Sequence, residues 1–154
     1  MKYNVLAMFF LFFSLLQAQN EDEKAVQKTI EDFFIGFHNQ DSTQIKNTVM
    51  ADVIMQTVSS DSTGNTLVKN EKFETFLKSI TSIPKTTLFK EKIISYHIQI
   101  DGNMANAWTT YEFWLNNSFS HCGVNSFQLI KFGKKWKIIY VIDTRRKNGC
   151  NQDD

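Results

Sequence analysis

The sequence predicts a small α+β domain in which N-terminal helices cover one face of an antiparallel sheet. Two observations support this. Residues 97–145 contain four strand-like segments separated by turn signals at 101–103, 116–118 and 133–134. Residues 21–38 carry apolar side chains at helical spacing, which is typical of a helix packed on a core. Together they indicate one domain over residues 19–147.

The first eighteen residues have the features of a secretory signal peptide. Lys2 precedes an apolar run over residues 5–16, and Ala18 is a small residue at the expected cleavage point. A buried N-terminal helix is the alternative. The run is too short to favour a membrane span. The sequence therefore predicts a periplasmic or secreted protein that is not membrane-anchored after cleavage.

Charge and cysteine content restrict the possible partners. Lys2 is the only charged residue of the predicted signal peptide, so the 17 basic residues fall to the number of acidic ones, 16, after cleavage. A neutral chain argues against nucleic acid as a partner. Cys122 and Cys150 form either a disulfide or two free thiols in an oxidising compartment. No metal-ligand spacing or phosphate-binding loop is present, so no metal or cofactor is expected.

The first half of the chain alternates helices and short strands. The first helix spans residues 21–38, and Asp41 caps a second, shorter one. Short strands follow over residues 53–58 and 66–69, and Asn70 is expected to cap a third helix that Pro84 ends. Residues 148–154 are expected to form a flexible tail. The apolar residues assigned to the first and third helices are Val26, Ile30, Phe33, Phe34, Phe37, Phe73, Phe76, Leu77 and Ile80.

Tight turns determine the strand registers and hence the two faces of the sheet. They predict that His97 faces Trp108, that Glu112 lies near Cys122, and that Gln128 lies near Ile139. Glu112, Val141, Asp143 and Arg145 then fall on the outer face, and the inner strand positions include no Asp or Glu. The inner face comprises Tyr96, Ile98, Ile100, Ala105, Ala107, Thr109, Tyr111, Phe113, Leu115, His121, Asn125, Phe127, Leu129, Trp136, Ile138, Tyr140 and Ile142.

Three segments resemble the NTF2-like superfamily, which includes SnoaL-like and steroid-isomerase-like proteins. They are FFIGFHNQDSTQIKNTVMADV, DGNMANAWTTYEFW and FGKKWKIIYVIDTR, within a match over residues 23–146. The resemblance implies a cone: three N-terminal helices packed on a strongly curved antiparallel sheet, with a pocket inside and an open face that often forms dimers. The steroid-isomerase pattern places an Asp base and a second acid in the cone, and the predicted inner face has neither.

Tyr111, His121 and Asn125 form the best candidate site. The register places Tyr111 opposite Gly123, which leaves space beside the ring, and His121 opposite Phe113. Polar groups on an apolar face must bond one another or a ligand. The alternative is a core histidine bonded to its neighbours. The predicted pocket lining is Phe33, Phe37, Tyr111, Phe113, His121, Asn125, Phe127 and Tyr140.

Three functions are compatible with this pattern. The favoured one is binding of a small, largely apolar molecule in the cone. The second is a proton-transfer enzyme (isomerase, dehydratase or hydrolase) with His121 as base and Tyr111 or Asn125 as oxyanion donor. The third is a homodimer or partner-binding domain that uses an outer patch formed by Trp108, Trp114, Ile139 and Val141.

Overall fold

The computed structural model describes the backbone of residues 2–150 and the side chains of residues 20–150. Residue 1 and the side chains of the whole predicted signal peptide lie outside this range. The last four residues of the predicted tail lie outside it as well. Three helices and one six-stranded sheet form the fold of the described residues. The elements are α1 (Lys2–Asn39), α2 (Ser42–Lys46), β1 (Val49–Ser60), β2 (Thr66–Glu71), α3 (Phe73–Ser82), β3 (Phe89–Asp101), β4 (Met104–Leu115), β5 (Ser118–Phe132) and β6 (Lys135–Arg146). The strand order in the sheet is β2-β1-β6-β5-β4-β3.

The apolar stripe of α1 packs into the concave face of the sheet, as its spacing predicted. Val26 and Ile30 are fully buried, and Phe33 and Phe34 are nearly so. They join Phe127 and residues of β4 and β6 in one continuous core. Burying each such side chain contributes about 1.5–3 kcal/mol, so this stripe is what holds the helix on the sheet.

A polar anchor fixes α1 against the tip of the β5–β6 hairpin. The Lys131 ammonium lies 2.6 Å from an Asp22 carboxylate oxygen, and the Trp136 indole N–H donates to the same carboxylate at 3.2 Å. These bonds hold the pKa of Asp22 below its usual value, mainly through Lys131. The anchor therefore sets where α1 crosses the sheet.

One of the two predicted helix caps is correct. The Asp41 carboxylate accepts hydrogen bonds from the backbone N–H groups of Thr43 and Gln44, at 2.9 and 3.0 Å. The prediction for Asn70 is wrong, because Asn70 lies within β2, which continues to Glu71. The Asn70 side chain instead accepts a bond from the Gln56 amide across the β1–β2 pair.

The three predicted hairpins are present, and two of the three predicted registers are correct. His97 pairs with Trp108, and Glu112 pairs with Cys122. The third register is wrong, because Gln128 pairs with Tyr140 rather than with Ile139. The ladder skips one residue between the pairs Gln128–Tyr140 and Leu129–Ile138, which leaves Ile139 in a β-bulge.

This bulge reverses the predicted faces of the second half of β6. Val141, Asp143 and Arg145 were assigned to the outer face, and all three line the interior of the cone. Tyr140 and Ile142 were assigned to the interior, but they alternate with those residues and so face the other side. The Tyr140 hydroxyl accordingly bonds the Gln56 side chain at 2.5 Å. A side-chain period of two makes every position after one inserted residue change face.

A second bulge interrupts β3. The pairing with β4 skips a residue between Ile93–Tyr111 and Ser95–Thr110, which leaves Ile94 unpaired. Tyr96, Ile98 and Ile100 pack against the core as predicted. On the other side of the bulge, Phe89 and Glu91 line the interior. The prediction of an inner face without acids is therefore wrong.

Cys122 and Cys150 form a disulfide, which resolves the alternative that the sequence left open. The bond joins β5 to residues beyond β6 and closes a loop across a sequence separation of 28. It fastens the chain at Cys150 beside Arg146, which pairs with Cys122 in the ladder. Within the described residues, no helix has the length and hydropathy needed to cross a bilayer.

Candidate functional site

The cone is open and holds a cavity of about 1080 Å³. The inner faces of β1, β3, β4, β5 and β6 form one wall, and α1 and α3 form the other. The chain has 14 Phe residues, but those at the closed end pack against one another and leave the rest of the cone free. The volume lies at the upper limit of cavities that hold a small organic molecule.

Aromatic rings form most of the apolar wall. Phe37 packs against Phe76 and Phe89, with ring centroids 6.0 and 5.1 Å apart, and Phe89 stacks on Phe113 at 6.5 Å. The predicted lining residues all lie on this wall except Tyr140: Phe33, Phe37, Tyr111, Phe113, His121, Asn125 and Phe127.

Glu91 is the central polar group of the wall. One carboxylate oxygen accepts a hydrogen bond from the Asn125 amide at 2.7 Å, and Asn125 itself is 5% exposed. Burial raises the pKa of Glu91 to about 7, and the charge of Asp143 adds to the effect while the Asn125 bond opposes it. Near neutral pH, Glu91 is therefore present both as the acid and as the carboxylate.

Asp143 lies beside Glu91 and has partners of its own. The Thr57 hydroxyl donates to one carboxylate oxygen, and the Arg145 guanidinium donates to the other at 2.8 Å. The Asp143 side chain is 14% exposed, whereas that of Arg145 is 60% exposed. Asp143 thus forms a salt bridge with Arg145, whereas Glu91 forms no salt bridge with any described residue.

Tyr111 occupies the space that Gly123 leaves. Its hydroxyl donates to the Thr144 carbonyl at 2.9 Å, and its ring packs directly over the Gly123 Cα. A Cβ at position 123 would lie 1.9 Å from the Thr144 oxygen and 2.7 Å from the ring. Burial and the negative charges of Glu91 and Asp143 raise the pKa of Tyr111 well above its usual value. Tyr111 is therefore a neutral group whose proton is already bonded to the protein.

His121 lies at the edge of the same group. Its ring stacks on Phe113 at 4.8 Å and meets Tyr111 edge-on at 5.9 Å, and its Nδ1 lies 3.1 Å from the Ser120 hydroxyl. Burial, followed by the positive charge of Arg145, lowers the pKa of His121. The three residues singled out from the sequence, Tyr111, His121 and Asn125, are thus together on the cavity wall.

His38 connects α1 to the strand that carries Glu91. Its Nε2 accepts a hydrogen bond from the backbone N–H of Glu91 at 2.9 Å. Burial and the nearby Lys90 lower its pKa to about 4. A neutral His38 therefore fixes the backbone of Glu91 without adding charge to the cone.

Sequence reasoning missed Glu91 and Asp143, although the sequence contains a signal for both. Paired branched residues, Ile93-Ile94 in β3 and Ile138-Ile139 in β6, interrupt the alternation of apolar and polar side chains. Such an interruption is what an inserted residue produces. Counting backward from the Ile93-Ile94 pair, Phe89 and Glu91 share a face, with Lys90 and Lys92 on the other.

The outer face holds part of the predicted association patch. Trp108 is 51% exposed there. The Trp114 indole N–H donates to Glu112 at 3.0 Å, and Glu112 lies on the outer face as predicted. Val141 does not belong to this patch, because the bulge at Ile139 turns it into the cone. Among the described residues, no group of His, Cys, Asp and Glu has the arrangement of a metal site.

Comparison with known proteins identifies the fold through structure rather than sequence. No protein-family model matches the sequence, and no curated protein matches it. An NTF2-like protein with a cystatin-like fold from Novosphingobium aromaticivorans superposes with a TM-score of 0.68 at 9% identity, covering 90% of this chain and 90% of that one.

Two further solved structures agree. An NTF2-like protein of unknown function from Shewanella baltica gives a TM-score of 0.60 at 15% identity, over 83% of this chain and 96% of that one. An NTF2-like protein from Cytophaga hutchinsonii gives 0.63 at 13% identity, over 80% and 98%. With its three helices on one curved sheet and a pocket between them, this chain has the NTF2-like fold that its sequence motifs resembled.

Proposed function

We propose that the protein binds a small, largely apolar molecule inside the cone. The observation that carries the proposal is the open, aromatic-lined cavity of about 1080 Å³ with the Glu91–Asn125 pair on its wall. An apolar cavity with a few convergent polar groups is the usual form of a small-molecule site. The protein is further proposed to act outside the cytoplasm, which the predicted signal peptide and the disulfide support.

A neutral fluorescent probe tests binding in the cone. N-phenylnaphthylamine brightens in apolar surroundings, so it should fluoresce with the wild-type protein. Ser79 lies at the cavity wall on α3, and Ser82 lies on the same helix outside it; both hydroxyls bond a backbone carbonyl three residues earlier. Ser79→Trp should reduce probe affinity about tenfold by filling the mouth, whereas Ser82→Trp should not. Equal affinities in the two variants would place the probe outside the cone and contradict the proposal.

Proton-transfer catalysis is the second candidate, and the protonation of Glu91 favours it. A group with a pKa of about 7 can both accept and donate a proton at neutral pH. In this version Glu91 is the base in place of His121, and the second N–H of Asn125 is available as a donor to a developing oxyanion.

Deuterium exchange tests this candidate without knowledge of the substrate. β-Tetralone is a neutral apolar ketone whose α-protons exchange with D₂O when a base removes them, and NMR follows the loss of their signal. The wild-type protein should accelerate the exchange, and Glu91→Gln should remove the acceleration while His121→Ala largely retains it. Acceleration that survives Glu91→Gln would assign the base elsewhere.

A further inference from the structure

The charge balance around Glu91 is the feature that the proposed binding function leaves unexplained. Asn125 bonds one Glu91 oxygen, and within the described part of the chain no basic side chain forms a salt bridge with either oxygen. Arg145 reaches Asp143 instead. An ionised carboxylate in an apolar wall is costly unless a positive charge accompanies it. Among the residues that the structure describes, Asn125 bonds one oxygen of Glu91 and the other oxygen has no hydrogen-bond donor.

The groups that face Glu91 do not compensate its charge. From β6 it faces Asp143 and Arg145, which neutralise each other, and from β4 it faces the neutral Tyr111. The imidazoles of His121 on β5 and His38 on α1 both have lowered pKa values. The neighbours on its own strand, Lys90 and Lys92, are exposed on the opposite face of the sheet. The charged residues at the mouth are Lys69 and Glu71 of β2 and Lys72, which directly precedes α3.

Aromatic rings beside Glu91 offer surfaces that attract a cation. Phe113 pairs with Glu91 across the ladder, and Phe89 lies two residues away on the same face. Phe37 completes the group, with its ring centroid 5.1 Å from that of Phe89. Ring faces attract cations, most strongly where water is excluded, and cages of rings are a recurrent way to bind alkylammonium groups. The same wall thus offers a carboxylate without a counter-ion and the surfaces that a cation prefers.

We infer that the cone selects an organic cation: an apolar molecule with one protonated amine, which donates to the free oxygen of Glu91 and lies against Phe89 and Phe113. This inference rests on the proposed binding function and names the ligand class for the same cavity. Anions are disfavoured, because they would meet the unpaired carboxylate of Glu91. A neutral alcohol of the same shape would bind, but without the charge interaction.

Displacement of N-phenylnaphthylamine by three matched compounds tests the inference. Phenylbutylamine, phenylbutanol and phenylbutanoate share one apolar body and differ in the charge of the end group. Near pH 8, the amine should displace the probe at a concentration about tenfold below that of the alcohol, and the acid should be weakest. Glu91→Gln should remove the advantage of the amine and leave the alcohol unchanged. The control is Glu74→Gln, an exposed carboxylate on α3 outside the cavity wall, which should keep the advantage.

A pH series on the wild-type protein gives a second, independent readout. Alkylamines stay cationic up to about pH 10, so between pH 6 and 8 the relevant change is ionisation of Glu91. Amine affinity should rise several-fold over this interval while alcohol affinity stays flat.

The outcomes separate the two proposals. An alcohol or acid that binds as well as the amine, while the probe still occupies the cone, overturns the cation inference and leaves the binding function intact. The inference is also overturned if the amine advantage persists in Glu91→Gln. A probe that does not enter the wild-type cone contradicts the binding function, and the inference falls with it.

Discussion

Glu91→Gln is expected to stabilise the empty protein at alkaline pH. A raised folded-state pKa means that the folded protein holds the proton more tightly than the unfolded chain does. Stability from the protonated group is fully present below the unfolded pKa, near 4.5, and is lost as pH rises through the folded pKa of about 7. Gln cannot ionise, and its side-chain oxygen still accepts the bond from Asn125.

The shift from 4.5 to about 7 sets the size of the effect. At 1.36 kcal/mol per pKa unit, ionising Glu91 costs the folded state about 3 kcal/mol in full. Part of the loss has occurred by pH 5, so the wild-type protein should lose about 2–3 kcal/mol relative to Glu91→Gln between pH 5 and pH 8. Urea denaturation of both proteins at the two pH values measures this difference.

A control variant makes the test specific. Glu74→Gln removes an exposed carboxylate, and its stability relative to wild type should change little between the two pH values. If Glu91→Gln destabilises equally at pH 5 and pH 8, the carboxylate is already compensated in the folded protein, and the reasoning about the cone wall is refuted.

Three further changes have defined outcomes. Replacing Cys122 and Cys150 together by Ser should lower the free energy of unfolding by about 3.5 kcal/mol, since the disulfide closes a loop across 28 positions. Urea denaturation under oxidising conditions measures this loss, and an unchanged midpoint would contradict the prediction. Gly123→Ala should destabilise by about 3 kcal/mol, because its Cβ would meet the backbone carbonyl of Thr144 at 1.9 Å; a thermal midpoint equal to wild type would refute the close approach. Trp108, half-exposed on the outer face, is proposed to lie in a dimer contact. Sedimentation should therefore find a wild-type dimer that Trp108→Glu dissociates. A monomeric wild-type protein would contradict this proposal.

Hairpin turns and helical spacing were sufficient to predict most of the fold. Gly102, Asn116, Asn117 and Gly133 all adopt the positive φ that tight turns require, so local chemistry determined where each strand ended. The α1 stripe was equally clear, because Val26 and Ile30 repeat at helical spacing. These features depend on residues close together in the chain.

The candidate site was predicted only in part, because faces depend on counting through whole strands. Tyr111, His121 and Asn125 were placed correctly, since the β4–β5 ladder runs without a register shift from the pair Met104–Ile130 to the pair Phe113–His121. Glu91 and Asp143 lie beyond bulges at Ile94 and Ile139. The bulge at Ile139 inverted the predicted face of Asp143, and the face assignment of β3 began at Tyr96 and so did not reach Glu91. A packing requirement of the curved sheet, rather than a local turn preference, decided these two positions.

The bulge at Ile94 has a consequence for which changes the cone wall tolerates. Loss of that single codon would make Ile93 and Ser95 direct neighbours in the ladder, where their partners Tyr111 and Thr110 are already consecutive, so Glu91 would stay inside. Entry of Ile94 into a regular ladder would instead move the first half of β3 by one position, bring Lys90 and Lys92 inside and turn Glu91 to solvent. The same sequence could thus present an acidic or a basic wall, and the pairing of one residue decides between them.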